Sequence, residues 1–253
     1  VGIADVQRVA SQFLTQEMLS AGGGASQYDT MAELFSQLNG LLGGPGDNQS
    51  LATGLTNLSA AFATASQAPT SSASRTGVMN ALTNLANSFS SVSSTITSLR
   101  TQIDQQVANS IGGANTLIKQ IFDLNTQIRT ASAAGDTASG LLDQRDVALA
   151  SLSNVMGIRA TTNSDGSVNV STTDGVNLVS NTYAKLAYAA GAQNGSYSSI
   201  TIQDVNPQTG QLIGGPSALD PHLSGGALKG LIDMRDSVLS DLGQTLGNLA
   251  QQT

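Results

Sequence analysis

The chain has 253 residues, with 10 Lys plus Arg against 17 Asp plus Glu, one His, no Cys, no Trp and a net charge of −7. An acidic chain without clustered cations offers no electrostatic footprint for a polyanion, which excludes nucleic acid as a partner. Without Cys there is no disulfide framework, thiolate metal site or thiol nucleophile, and the single His222 supplies neither a His-rich metal site nor a pair of catalytic imidazoles.

Charged residues are only 11% of the chain, against about 25% in an ordinary globular protein. Ser, Thr, Asn, Gln and Ala take their place, so the surface is polar but nearly uncharged. No run of 18 apolar residues occurs, and membrane insertion is not expected. The chain opens at Val1 without an initiator Met, a basic n-region or an apolar h-region. It is expected to be a fragment, from which any export signal is missing.

In chain order, helices come first. Val1 to Ala21 places Ile3, Val6, Ala10, Phe13 or Leu14, and Leu19 near one face, and a stop is expected at Gly22-Gly23-Gly24. Tyr28 to Leu42 repeats the pattern through Met31, Leu34, Phe35, Leu38 and Leu42, and ends in a Gly43-Gly44-Pro45-Gly46 linker. A third helix runs from about Ser50 to Gln67 through Leu51, Leu55, Leu58 and Phe62, before Pro69.

The segment from Ser72 to Ala133 carries most of the architectural signal. Val78, Leu82, Leu85, Phe89, Val92, Ile96, Leu99 and Ile103 alternate four and three apart, which is a heptad seam. The spacing shifts to four and four at Val107 and Ile111, a stutter that locally unwinds a left-handed supercoil. It then resumes through Ala114, Ile118, Ile121, Asn125 and Ile128. As one helix the segment is roughly 90 Å long, with a kink expected at Gly112-Gly113, and it implies an elongated molecule. Asn125 takes a seam position, where a polar side chain fixes register against a neighbour.

Ser139, as N-cap, opens a short helix to about Val155. The period then changes to two. Ile158–Thr162, 167–172, 176–180, 184–189 and 199–205 read as strands, with turns at Asn163-Ser164-Asp165-Gly166 and Asp174-Gly175. Gly225 or Gly226 opens a last helix through Leu228, Leu231, Ile232, Leu239, Leu242, Leu246 and Leu249. The expected fold is mainly α with an inserted small antiparallel β unit: an elongated helical bundle on one very long helix. Residues 1–156 and 222–253 form the helical part, and 157–221 the β insert.

Catalytic signatures are weak. Asn163-x-Asp165-Gly166 resembles the middle of a calcium loop, but Thr161 and Thr172 stand where carboxylates are required, so it reads as a β-turn. Asn48-Gln49-Ser50 is a chance triplet in a chain rich in Asn and Ser. His222 reads as a surface or capping residue, and no G-x-S-x-G motif occurs. No catalytic residue, metal or cofactor is expected.

One pattern occurs twice, as Leu141-Leu142-Asp143-Gln144-Arg145-Asp146 and as Leu231-Ile232-Asp233-Met234-Arg235-Asp236. Helix neighbours one or two apart do not face each other. Arg145 and Arg235 are therefore expected to reach carboxylates or backbone carbonyls on another element, the alternative being a solvated face.

These two motifs, with Leu124-Asn125-Thr126-Gln127-Ile128 before the first and Gly226-Ala227-Leu228-Lys229-Gly230 opening the second, resemble the flagellar hook-associated protein 1 family, the hook–filament junction proteins. The likeness runs over essentially the whole chain, and the family's N- and C-terminal helical segments are expected to be absent. The resemblance implies a structural, non-enzymatic component of the extracellular bacterial flagellum, exported through the type III apparatus. It also implies assembly with other copies of itself, the hook protein and the second junction protein, with an export chaperone acting through the terminal segments. A flagellin-like filament subunit, or a surface adhesin using the β insert, are the alternatives.

Overall fold

The computed structural model describes residues 3–43, 50–192 and 196–252, with side chains from Phe13 onward. The inward face expected of Ile3, Val6 and Ala10, the linker residues Gly44 to Gly46, and Asn48 and Gln49 lie outside what is described. In order come α1 (Ile3–Leu42), α2 (Leu51–Gln67), α3 (Ser72–Ala133), α4 (Ser139–Val155), strands β1 (Ile158–Thr162), β2 (Val168–Thr172), β3 (Asn177–Val179), β4 (Tyr183–Ala187), β5 (Thr201–Val205) and β6 (Leu212–Ala218), a 3-10 turn (Asp220–His222), α5 (Gly226–Asp233), a π turn (Met234–Val238) and α6 (Leu239–Gln252). The mainly helical fold with an inserted antiparallel sheet, built on one long helix, is the expected one.

The chain forms two compact units. One comprises Val1–Met31 and Ile103–Asp233, the other Ala32–Gln102 and Met234–Thr253. This division does not follow the expected boundaries at 157 and 221. The strands share their unit with parts of α1 and α3 and with α4 and α5, because the helices supply groups that the sheet needs.

In the first unit the six strands described form an antiparallel sheet in sequence order, a meander. The seam of α3 is its helical core: Ile103, Val107, Ala114, Ile118 and Ile121 are 0% exposed, and Ile111 and Ile128 are also buried. The stutter is thus accommodated with every seam position inward. The helix runs through Gly112 and Gly113 without a break, both on the exposed side. From the sheet, Val170, Leu178, Val179, Leu186 and Ile202 are buried.

In the second unit α2 starts at Ser50, whose hydroxyl accepts the Thr53 N–H at 3.2 Å as an N-cap. Leu58, Leu85, Ile96 and Leu99 form the buried interior, with Leu34 and Leu38 of α1 and Leu239 and Leu246 of α6. Phe62, expected on the inner face of α2, is instead 53% exposed.

Four expectations are corrected. Gly22 to Gly24 do not end a helix, since α1 runs on for 40 residues. A Cβ on Gly23 would lie 3.0 Å from the Ser153 carbonyl oxygen and 3.7 Å from Gly157 Cα, and one on Gly22 3.1 Å from Asn154 Oδ1. Gly22 and Gly23 therefore form a contact surface for the end of α4, and close packing there offsets their cost in a helix of about 1 kcal/mol each, while Gly24 has nothing within 4 Å of its Cβ position. Ser139 is the first helical residue and not the cap. Ala138 takes that place at φ 51°, without a side-chain bond, while Asp136 Oδ1 accepts its N–H at 3.1 Å.

The strand β6 adds to the five strands that were expected. It lies at the sheet edge with all seven residues exposed, where Pro and Gly are tolerated. The last helix is interrupted by the π turn, in which the adjacent residues Met234 and Arg235 are both buried, at 0% and 3% exposed. A widened turn is one way of bringing adjacent positions inward.

Gly226 opens α5 at φ +81°, and a Cβ there would stand 2.4 Å from the backbone of Met156. Gly226→Ala is expected to cost roughly 2–5 kcal/mol, from the left-handed backbone together with the main-chain clash. Gly112→Ala, with nothing within 4 Å of its Cβ, is expected to gain about 0.5–1 kcal/mol. Urea unfolding of the two variants checks both signs.

Candidate functional site

Several of the buried polar groups, Asp104, Asn125 and Arg145 among them, lie at the contact between the helices and the sheet. Strand β3 has only three residues and meets β4 in one pair, Val179↔Tyr183, and β2 in two, Val170↔Val179 and Ser171↔Asn177. Past those pairs β2 and β4 lack a strand on that side, and their main-chain groups need other partners.

Side-chain amides of α3 supply them. Asn115 donates from Nδ2 to the Leu186 carbonyl at 2.9 Å and accepts the Leu186 N–H at 2.8 Å on Oδ1. Asn125, 3% exposed, does the same for Val168, donating to its carbonyl at 2.7 Å and accepting its N–H at 3.0 Å. Each amide presents one donor and one acceptor side by side, as a neighbouring strand would. At the outer edge of β1, Gln16 of α1 donates to the Ile158 carbonyl at 3.3 Å and accepts the Ala160 N–H at 3.1 Å.

Asp104, 1% exposed, ties down the chain after β4. Its carboxylate accepts the Tyr188 hydroxyl and the Gly191 N–H, the latter at 2.6 Å. Asp104 and Asn115 are eleven residues apart, about three helical turns, so they lie on nearly the same side of α3.

Arg145 of the first repeated motif is 5% exposed and points into this contact. Its Nη1 donates to the Gly166 carbonyl at 2.6 Å and to Asn125 Oδ1 at 3.5 Å. A guanidinium only donates, so it holds the Asn125 oxygen toward itself and the Val168 N–H, which leaves Nδ2 for the Val168 carbonyl. Its Nε is buried without a partner. Burial lowers the Arg145 pKa, opposed by the nearby Asp146. The expected reach to another element is what the structure shows, through an amide and a carbonyl.

Around Arg145, Leu141 and Leu142 are half-buried, while Asp143 and Asp146 are exposed. The turn that offers Gly166 is held by Asp165, whose Oδ1 accepts the Ser167 hydroxyl at 2.6 Å and the Ser167 N–H at 3.0 Å. These bonds, the hydroxyl's first, hold the Asp165 carboxyl below its ordinary pKa. Their contribution to stability is present above the ordinary carboxylate pKa and is lost as pH falls through the depressed value.

The second motif is built differently. In the π turn its Nε and Nη2 donate to Asp236 Oδ1 and Oδ2 at 2.8 and 2.9 Å, a bidentate pair with the next residue. The spacing rule that disfavours such a pair applies to a regular α-helix, and this turn is not one. The Arg235 carbonyl accepts Nε of Arg100 from α3 at 3.2 Å. Leu231 is buried, and Asp233 pairs with Lys229 one turn earlier.

Sequence reasoning singled out Asn125 and Arg145 but missed Gln16, Asp104 and Asn115. The available signal was a polar residue at or beside the α3 seam, recurring at 104, 115 and 125. Among the described residues no cluster of three or more His, Cys, Asp or Glu is placed to hold a metal, and no helix is long and apolar enough to cross a membrane. His222 is exposed.

Comparison with known proteins places this arrangement in a family. The profile described as "Flagellar hook-associated protein FlgK helical domain" matches residues 35–253. The chain belongs to the FlgK family. It is 27% identical over 252 residues to flagellar hook-associated protein 1 of Salmonella typhimurium, covering 99% of this chain and 44% of that relative. The Escherichia coli K12 protein of the same name is likewise 27% identical, with 99% and 45% covered. The solved flagellar hook junction protein FlgK of Burkholderia pseudomallei superposes with a TM-score of 0.79 at 28% identity, over 92% of this chain and 41% of that one. The chain spans less than half the length of these FlgK relatives.

Asn125→Ala strands the Val168 N–H and C=O in a buried site and is expected to cost about 2–4 kcal/mol, and Arg145→Ala about 1–3 kcal/mol. Because the two side chains share one network, the double variant is expected to lose less than the sum. Arg145→Lys should restore part of the loss, since both Arg145 bonds leave one nitrogen, Nη1, and an ammonium can also donate more than one bond. Denaturant unfolding of the four variants decides it.

Proposed function

We propose that this chain is the helix-and-sheet body of a structural subunit that joins the hook to the filament of the bacterial flagellum. The observation that carries the reading is the family match over residues 35–253, supported by the junction protein whose fold it shares. The subunit works by shape and contact and not by catalysis. The buried polar side chains Asp104, Asn125 and Arg145 all bond within the fold.

In this reading the two motifs are structural. Arg145, with Leu141, Leu142, Asp143 and Asp146, seats α4 on the sheet, and Asn125 sets the register of β2 on α3. Leu231, Asp233, Arg235 and Asp236 shape the chain around the π turn. The partners are other copies in the axial assembly, the hook protein and the second junction protein, with a chaperone during type III export, and the assembled protein is extracellular.

Cells of the source bacterium lacking the gene are expected to carry hooks without filaments, and the full-length gene should restore them. Immunogold label on the full-length protein should mark only the hook–filament boundary. Normal filaments on the deleted cells overturn the reading, and label along the whole filament favours a flagellin-like subunit.

A further inference from the structure

The hairpin of α2 and the start of α3 is almost free of charge: residues 51–99 hold one charged side chain, Arg75. A groove of about 590 Å³ lies between the two helices. Small side chains, Ala61 and Ala81, line it beside four amides, Asn57 of α2 and Asn80, Asn84 and Asn87 of α3. All four asparagines are exposed, and among the described residues none of their amides has a hydrogen-bond partner. Asn80, Asn84 and Asn87, four and three apart, share one face of α3. They span about 10 Å of helix, the length of three or four residues of extended chain.

Elsewhere in this fold a helix-borne amide has one use. Asn115, Asn125 and Gln16 each donate to a carbonyl and accept an N–H of an extended strand. A strand that lacks such a partner is also present. β6 is bonded to β5 on one side and has no strand on the other among the described residues, and all seven of its residues are exposed. Leu212 and Ile213 at its start are 51% and 43% exposed, and residues 206–219 carry no charge.

We propose that the groove between α2 and α3 receives the free edge of β6 from a second copy of this chain, with Asn80, Asn84 and Asn87 bonding its outward main-chain groups. Both surfaces are uncharged, so they match each other and offer nothing to hold an ionic ligand. Gly214 and Gly215 have open space at their Cβ positions, which lets that stretch of main chain enter between the amides. Pro216 has no N–H to give, and the register of β6 on β5 shifts between Ile202 and Asp204. Both features disfavour a straight ladder with another strand, whereas a helix-borne amide needs the N–H and C=O of one residue only. The contact is heterologous: each copy keeps one free groove and one free strand, so it propagates into a ring or a helical row. It rests on the junction reading for the presence of neighbouring copies and names one surface by which they meet.

The chain has no Cys, so single-Cys variants report a contact between copies directly. Leu212→Cys chains, mixed at high concentration with Ser91→Cys chains and a short bismaleimide, should give the mixed dimer at least fivefold faster than with Ala150→Cys chains, whose thiol lies on α4. Mass spectrometry separates the mixed product from the others. Asn80→Ala with Asn87→Ala, added to the Ser91→Cys chain, should slow the coupling at least fivefold with the circular dichroism spectrum unchanged. Absence of the mixed dimer, equal rates for Ser91→Cys and Ala150→Cys, or indifference to the loss of the amides overturns the proposal. So does faster coupling of Leu212→Cys chains to one another, since β6 would then pair edge to edge. None of these outcomes alters what deletion of the gene shows in cells, so the contact and the junction reading fail separately.

Discussion

A main-chain N–H or C=O buried without a partner costs about 1–3 kcal/mol, and a three-residue strand in the middle of a sheet creates several such groups at once. In this protein β3 cannot cover the facing sides of β2 and β4, and β1 has no outer strand among the described residues. The side-chain amides of Asn115, Asn125 and Gln16 complete the ladder at Leu186, Val168 and Ile158–Ala160. The sheet is therefore finished by the helices that carry it. That is why the compact unit containing the strands also contains α4 and parts of α1 and α3.

The first repeated motif acquires its meaning from this constraint. An isolated Asn can turn its amide over and lose both bonds, but the Asn125 oxygen is held in place by Arg145, a side chain that can only donate. The same arginine seizes the carbonyl of Gly166 at the tip of the β1–β2 turn, so one buried cation links α4, α3 and the first hairpin. None of these groups needs to react. The arrangement is one of fixed geometry, in a chain that belongs to the FlgK family.

Much of this was legible beforehand, for identifiable reasons. The α3 seam declares itself because apolar residues recur in register from Val78 to Ile128, and the two main hairpin turns because Asn, Asp and Gly have few other uses in such spacing. What was illegible depended on distant partners. Gly22 to Gly24 look like a helix stop until the end of α4 is seen to press against Gly22 and Gly23. The strand that holds Pro216 was not expected at all, and it lies at an edge, where Pro is tolerated. Arg235 pairs with Asp236 inside a π turn, where α-helical spacing does not apply. Asn115 and Gln16 are ordinary polar residues on helices until a short strand elsewhere leaves backbone groups for them to satisfy.

The central claim, that helix side chains complete the sheet, is tested most directly by native-state hydrogen exchange of the Val168, Leu186 and Ala160 amides, followed by NMR. The account predicts that Val168 and Leu186 exchange as slowly as amides bonded strand to strand, such as those of β4 facing β5, and that Ala160 is also protected although it lies on an outer edge. Exchange of these three amides at the rate of a free edge strand would contradict it.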